Sequence, residues 1–527
     1  LDHQEELLTF PYCGSKSTEV ANNNKLKNHA TTLLTNADCC TFILANAYTK
    51  LKIRKRVFFM LSGDSLAVRQ VTGTLIVFAF VGDQASPIAG AKVSVRDMSG
   101  NLIATRQTNE SGQTEAIRLE SVEKRLSLTP ADVEPYSKYN VMVEAAGYVT
   151  VEIKGVQIFA DTESIQQIEL TRAERTYSRQ VVQEFNISEH ELVRGEVKLK
   201  EEEIEKVVPT QFFFLLQGDP VVPSHVIVHD GHPNNASRPK YTVDFKTYIK
   251  NVACSEIYPT WPIEAIKANV VCIISFTLNR VYTEFYRSKG KDFTITSSTA
   301  FDHKYIHNRN IYANISNVVD SIFTEYIKNP NPEIDAPFLS QYCDGRRVKC
   351  PGWLTQWGSK SRADLGENYL QILKYFYGSE FEVKRAKQVQ GIPESFPGSN
   401  LQIGSSGKDV ETIQTYLNRI SKNYPAIQKL PVDSLFGAKT QDQVKRFQRI
   451  FRLPQTGIVD YATWYKISDI YVAVTKLAEG PAGGQRTSIS AFTNSLSLNE
   501  RYAYAPHVTW VPMWVPVIQC WKRRYWK

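Results

Sequence analysis

Between Pro262 and Tyr282 of this 527-residue chain, apolar side chains recur nearly all the way round a helical axis. Ile263, Ile266, Val270, Ile273, Thr277 and Val281 follow spacings of three and four, and Val271, Cys272, Ile274 and Leu278 widen the stripe. A helix apolar on almost every side must be wrapped by other elements, so the pattern predicts the centre of a domain. Its start is marked as well. Pro262 suits the first turn, where its missing N–H would be unpaired anyway, and Glu264 favours the positive end of the helix dipole, so the helix is expected from about Trp261. Just before it, in SEIYPTWPIEAIKANVV, stands one acid, Glu256, beside Tyr258 and Trp261. Desolvation there would disfavour the ionised form and raise the pKa, which suits a general acid working near neutral pH. On position alone, a cap or an internal salt bridge is the favoured role for Glu256.

The rest of the chain divides by pattern. Its length exceeds what one core usually organises, so several domains are expected, and 42% hydrophobic with 22% charged residues is globular composition. Residues 1–70 show no sustained periodicity and receive no function. From Thr72, short β-rich runs such as TLIVFAFVG, GAKVSVRD and YNVMVEAAGY alternate with Gly, Pro, Asn and Asp turns, an all-β sandwich pattern over 71–171. Residues 172–219, including EVKLKEEEIEK, read as a charged linker with one solvated helix. Residues 400–470 carry two helical stripes, Val410, Ile413, Leu417 and Ile420, then Val444, Phe447 and Phe451. The aromatic and basic segment 471–527 stays unassigned.

A net charge of +8, spread along the chain, favours anionic surfaces without calling for nucleic acid, and none is expected as a partner. No apolar run reaches the roughly 20 residues of a membrane span, and no signal peptide is visible. Eight cysteines in a chain this long do not make a disulfide scaffold.

The stretch YIKNVACSEIYPTWPIEAIKANVVCIISFTLNRVY resembles the core motif of the SpoIID/LytB family of sporulation-associated bacterial proteins. Tyr248, Val252, Glu256, Trp261, Pro262, Glu264, Ala265, Lys267 and Ala268 fall on its pattern in register. CPGWLTQWGSKSRADLGENYLQILKYFYG is similar to the family's closing motif, so the resemblance covers about 220–380 and implies a central α+β domain. It further implies a lytic transglycosylase acting on peptidoglycan glycan strands, with Glu256 catalytic and with Trp261, Lys267, Asp302, Gln356 and Trp357 as candidate substrate contacts. A lone carboxylate suffices because the muramic C6 hydroxyl attacks the anomeric carbon itself, unlike the paired carboxylates of most glycosidases. Glu264 is a candidate second acid, but the dipole already explains it. Asp302 could equally stabilise a loop turn, and Trp357 could equally be packed. Where the family carries Arg-Thr-Tyr, this chain has Ile274, Ser275 and Phe276, which removes a guanidinium able to orient substrate.

Cys343 and Cys350 flank a Gly-containing loop, QYCDGRRVKC. Some SpoIID relatives bind zinc near this position, and His303 and His307 are conceivable remote ligands, but two thiolates do not complete a tetrahedral site. A disulfide, or cysteines packed near each other, is favoured over structural zinc, and no cofactor is required. GSSGKDVETIQTYLN with VDSLFGAKTQDQVKRFQRIFRLPQTGIVDYATW closely resembles the peptidoglycan-binding-1 domain, which implies a small three-helix bundle and a wall ligand. The sandwich, through GAKVSVRD and YNVMVEAAGY, resembles the carboxypeptidase-regulatory-like fold and is expected to be a spacer or adhesion module. The expected fold is thus multidomain: all-β sandwich, α+β domain, three-helix bundle. A cell-wall enzyme, extracytoplasmic and by kinship linked to sporulation, is the leading expectation, against a wall-binding or spore-structural protein without turnover and a zinc hydrolase of peptide or amide bonds.

Overall fold

The computed structural model describes residues 71–173, 182–194, 220–331, 336–348 and 350–479. The expectations for residues 1–70, for EVKLKEEEIEK and for the tail beyond residue 479 lie outside the described residues. Strands β1 (Thr72–Val81), β2 (Ser86–Pro87), β3 (Lys92–Arg96), β4 (Leu102–Gln107), β5 (Ile117–Glu120), β6 (Ser137–Glu144), β7 (Thr150–Ile158), β8 (Glu163–Glu169) and β9 (Val182–Asn186) build the first layers. One sheet runs β4-β3-β6-β7-β9, and β1 sits in the other between β8, parallel to it, and the antiparallel β2 and β5. Alternation sets the interior. Leu75, Val77 and Ala79 of β1 share one core with Val93, Val95, Val141, Val143, Val151 and Ile153, while Phe78 and Phe80 belong to a second core outside the sandwich. Burial on both faces explains why β1 reads as a nearly unbroken apolar run.

β9 corrects the linker expectation. Residues 182–186 pair in parallel with β7, from Thr150↔Val182 to Lys154↔Asn186. The one-turn helix α1 (Glu191–Arg194) that follows is not solvated, because its Leu192 and Val193 are buried. An apolar pair within a charged run anchored it, and charge composition masked that anchor.

The central region contains β10 (Val221–Val222), β11 (His225–His229), β12 (Lys240–Asp244), α2 (Phe245–Glu256), α3 (Ile263–Tyr282), β13 (Ile295–Thr296), β14 (Ile311–Tyr312), α4 (Ala313–Ile322), β15 (Glu325–Lys328), β16 (Tyr342–Cys343), β17 (Leu354–Thr355), α5 (Gln356–Asp364), α6 (Tyr369–Tyr377), β18 (Glu382–Arg385) and β19 (Gln388–Val389). α3 is the expected central helix: α2, α4, α5, α6 and β15 all pack on it. Its few polar groups bond locally or across. Ser275 Oγ donates to Val271 O and accepts the Ile327 N–H at 2.7 Å, and Asn279 Nδ2 donates to Pro337 O. Asp244 caps α2 by accepting the Thr247 N–H at 2.8 Å. β14 leaves this region altogether and extends the sandwich sheet, with Ile311 opposite Ile165 and Tyr312 opposite Ser164.

The last three helices, α7 (Lys408–Ile420), α8 (Ala438–Ile450) and α9 (Tyr461–Glu479), form the bundle. Val410, Ile413, Leu417, Val444, Phe447, Trp464 and Ile467 are wholly buried at its centre. Two buried glutamines staple its loops: Gln414 bonds Asp433, Ser434 and Leu435, and Gln448 bonds Gly457, Ile458 and Thr463. Gly457 has φ 72°, and a side chain there would also meet Gln441 and Lys445. α9 runs on past residue 470, where the unassigned tail was expected to start, because Ile470 and Val474 continue its buried stripe.

Candidate functional site

Glu256 is the last residue of α2, and only 3% of it is exposed. Its Oε1 accepts the backbone N–H of Lys304 at 2.7 Å, and its Oε2 accepts the hydroxyl of Tyr342. Burial, and then the Glu256 carboxyl it faces, push the Tyr342 phenol well above its ordinary range, so Tyr342 stays a donor. Behind it, the Tyr342 ring stacks on His303, whose Nδ1 lies 3.0 Å from the Tyr248 hydroxyl. Arg309 reaches the neighbouring residue, donating from Nη1 to Ser255 Oγ at 3.0 Å.

Three aromatic rings pack on one another, two of them from the segment that follows the acid. Trp261 and Trp357 lie 4.9 Å apart between ring centroids, and Tyr258 meets both edge-on. Trp261 is anchored from the sandwich, its indole N–H donating to Ser127 O at 3.0 Å, and Trp357 is likewise largely buried. Gln356 is buried at the start of α5. Lys267 is half-buried and pairs with Glu264 at 2.8 Å. Glu264 also accepts the Tyr369 N–H; although burial opposes it, these two bonds hold its carboxyl below the usual range. This links the start of α3 to the start of α6, a structural duty beyond the dipole.

Asp302 is fully buried, and its bonds are those of a loop-holding residue. It pairs with Arg280 Nε at 2.8 Å and accepts Tyr286 Oη at 2.6 Å, Thr296 N–H at 2.9 Å and Thr296 Oγ1 at 2.7 Å. A guanidinium is therefore present in α3 six residues after Ile274, engaged with an acid. Cys343 and Cys350 form a disulfide with Cα atoms 6.2 Å apart. Their sulfurs are consumed in that bond, His303 faces Tyr248, and His307 stacks on Tyr241 at 3.8 Å with its Nδ1 3.0 Å from the Tyr305 hydroxyl. These residues do not fit a zinc site, and among the described residues no group of three or more His, Cys, Asp or Glu could hold a metal.

Tyr342, Lys304 and Arg309 were not legible as site residues. Tyr342 bonds Glu256 across 86 positions and Lys304 across 48, and no periodicity spans such distances. The one available signal was the place of Tyr342 directly before Cys343 in a polar, glycine-containing loop.

The two domains define a cell-wall-associated protein with a peptidoglycan-binding module. Residues 235–327 match the Stage II sporulation protein family, SpoIID, and residues 406–467 match the peptidoglycan binding domain family, PG_binding_1. No curated protein matches the chain significantly. Solved structures similar to parts of it include a type II cohesin–X-dockerin complex from Acetivibrio cellulolyticus, 16% identical, with 20% of this chain and 62% of that one covered and a TM-score of 0.14. Others are the minor pilin GBS52 of Streptococcus agalactiae (13% identical, 21% and 48% covered, TM-score 0.15) and catechol 1,2-dioxygenase from Acinetobacter sp. ADP1 (15%, 23% and 60%, TM-score 0.14). The chain spans less than two thirds of each, and scores of this size do not establish a shared fold. Among the described residues no helix is long and apolar enough to cross a membrane.

Proposed function

We propose that this protein is a wall-bound lytic transglycosylase that cleaves peptidoglycan glycan strands, with Glu256 as its acid and base and with the sandwich, in the role of a carboxypeptidase-regulatory-like module, as its spacer. The observation that carries this reading is the setting of Glu256: a carboxyl fixed by donors from two separate segments, Lys304 N–H and Tyr342 Oη, with the packed rings of Tyr258, Trp261 and Trp357 built from the segment that follows it and the start of α5. Such rings can cover the apolar face of a sugar, and a fixed carboxyl meets the positional demand of proton transfer. Protonated, Glu256 gives its proton to the glycosidic oxygen as the bond to the anomeric carbon breaks. The muramic C6 hydroxyl then bonds that carbon, closing an anhydro ring, and returns its proton to Glu256. No water and no metal takes part. The three-helix module keeps strands close and so raises the effective substrate concentration.

A second reading, a wall-binding protein without turnover, draws on the near-complete burial of Glu256. One experiment separates the two. Purified protein incubated with glycan strands should release anhydromuropeptides detectable by mass spectrometry, and Glu256→Gln should abolish them while leaving wall pelleting intact. Binding without any anhydro product from the wild type would support the scaffold reading, and full activity in Glu256→Gln would remove this residue from the chemistry.

A further inference from the structure

The residues that follow Glu256 and hold it, Ile257, Tyr258 and Lys304, are contacted by the chain's own segment between the sandwich and the central region. Residues 187–194 leave β9 and run across the end of α2. His190 is wholly buried there, its Nε2 3.3 Å from the carbonyl of Ile257, the residue after the acid, and its ring 4.6 Å from that of Tyr258. The next residue, Glu191, places its carboxylate 3.2 Å from Lys304 Nζ, and Lys304 is the residue whose backbone N–H holds Glu256. Leu192 and Val193 sink into the same core as Ile257, Tyr258, Trp261 and Trp357.

Three neighbours hold the segment down. From the sandwich, Gln157 Nε2 donates to Ser188 O at 3.0 Å, and the Tyr136 hydroxyl accepts the His190 N–H at 3.2 Å. The site loop contributes Lys304. The disulfide-closed loop contributes Arg347, which donates from Nη2 to Glu191 O at 2.7 Å, while the adjacent Arg346 pairs with Asp132 of the sandwich. Every one of these contacts is non-covalent, and all but the Arg346–Asp132 pair engage one short stretch of chain.

We propose that residues 187–194 are an internal strap that closes the Glu256 site, so that the acid meets a polymer only after the strap is displaced. As a regulatory device this rests on the catalytic reading above; the packing of the strap against the residues that flank and hold Glu256 stands on its own. The strap explains how an acid next to an aromatic cluster can be almost fully buried in a protein equipped to bind a wall polymer.

The test uses the full chain and two readouts. Coupling of Glu256 to a small amine by a water-soluble carbodiimide, followed by peptide mass spectrometry with the exposed Glu380 as internal reference, reports access without any need for turnover. Leu192→Asp with Val193→Asp should unseat the strap and raise Glu256 coupling about tenfold, as the open fraction grows. Should that variant fail to fold, Glu191→Ala removes only the outer ion pair to Lys304 and should raise coupling roughly threefold. Unchanged coupling in a folded variant overturns the strap, whatever happens to glycan. Raised coupling with a parallel rise in anhydromuropeptide release upholds both readings, and raised coupling without any product upholds the strap while overturning the catalytic role.

Discussion

Lys466 carries its ammonium into the seam between the three-helix bundle and the sandwich, where its Nζ donates to Gln84 Oε1 at 3.1 Å. Burial first, then the nearby Lys250 and Lys246, bring its pKa down to about 8 from an ordinary value of 10.5. Between those two values the unfolded chain binds more protons than the folded one, so the contribution of Lys466 to stability rises with pH across that window, and its penalty is present in full below it. Lys466→Met should therefore be more stable than wild type at pH 7.5, with the gap closing by pH 10, as read from urea midpoints of the two proteins in parallel. Only part of the residue-scale picture could be read in advance. Glu256, Trp261 and Glu264 sit within a few positions of one another, and local spacing exposed them. Asp302 was noticed for its neighbours in sequence, but its meaning depends on Arg280, Tyr286 and Thr296, which only the folded loop brings around it.

At the scale of elements, helices announced themselves wherever a stripe of one period ran for several turns. α3 and α7 were legible for that reason, and Pro262 marks the start of α3 as expected. β9 and α1 were not, because five strand residues and one helical turn are too short for periodicity to outweigh the charges around them. α9 was seen only in part: its first turns fell within the recognised module, while its last turns pack Tyr471 against Tyr416 of α7 at 3.9 Å. Trp464 is the anchor of this helix, wholly buried, with its indole N–H donating to Glu394 O at 3.1 Å. Trp464→Ala should cost about 3–5 kcal/mol by opening a cavity at the bundle centre. Denaturant unfolding would measure the loss, and pelleting with insoluble wall should fall with it.

Across the whole described region, the bundle is tied to its neighbours by specific contacts. Arg452 forks onto Glu163 of β8, Lys246 of α2 pairs with Asp469 of α9, Tyr424 donates to Gln84 O at 2.5 Å, and Phe78 meets Phe451 at 6.5 Å. Contacts of this kind between buried and half-buried groups couple the unfolding of the parts they join. Calorimetry should show one cooperative transition for the sandwich, central region and bundle together, and Arg452→Ala with Lys246→Ala should begin to split it. Three resolved transitions in the wild type would contradict this coupling. Pattern alone gave three modules and left open how they meet. The two-residue strand β14 shows why, since it stitches residues 311 and 312 to the edge of a sheet begun some 240 positions earlier. A ribosome or an export channel delivers the amino-terminal end first, so this sheet must wait with a raw margin until Tyr312 emerges, and a nascent chain stalled before that point would offer the margin to other strands.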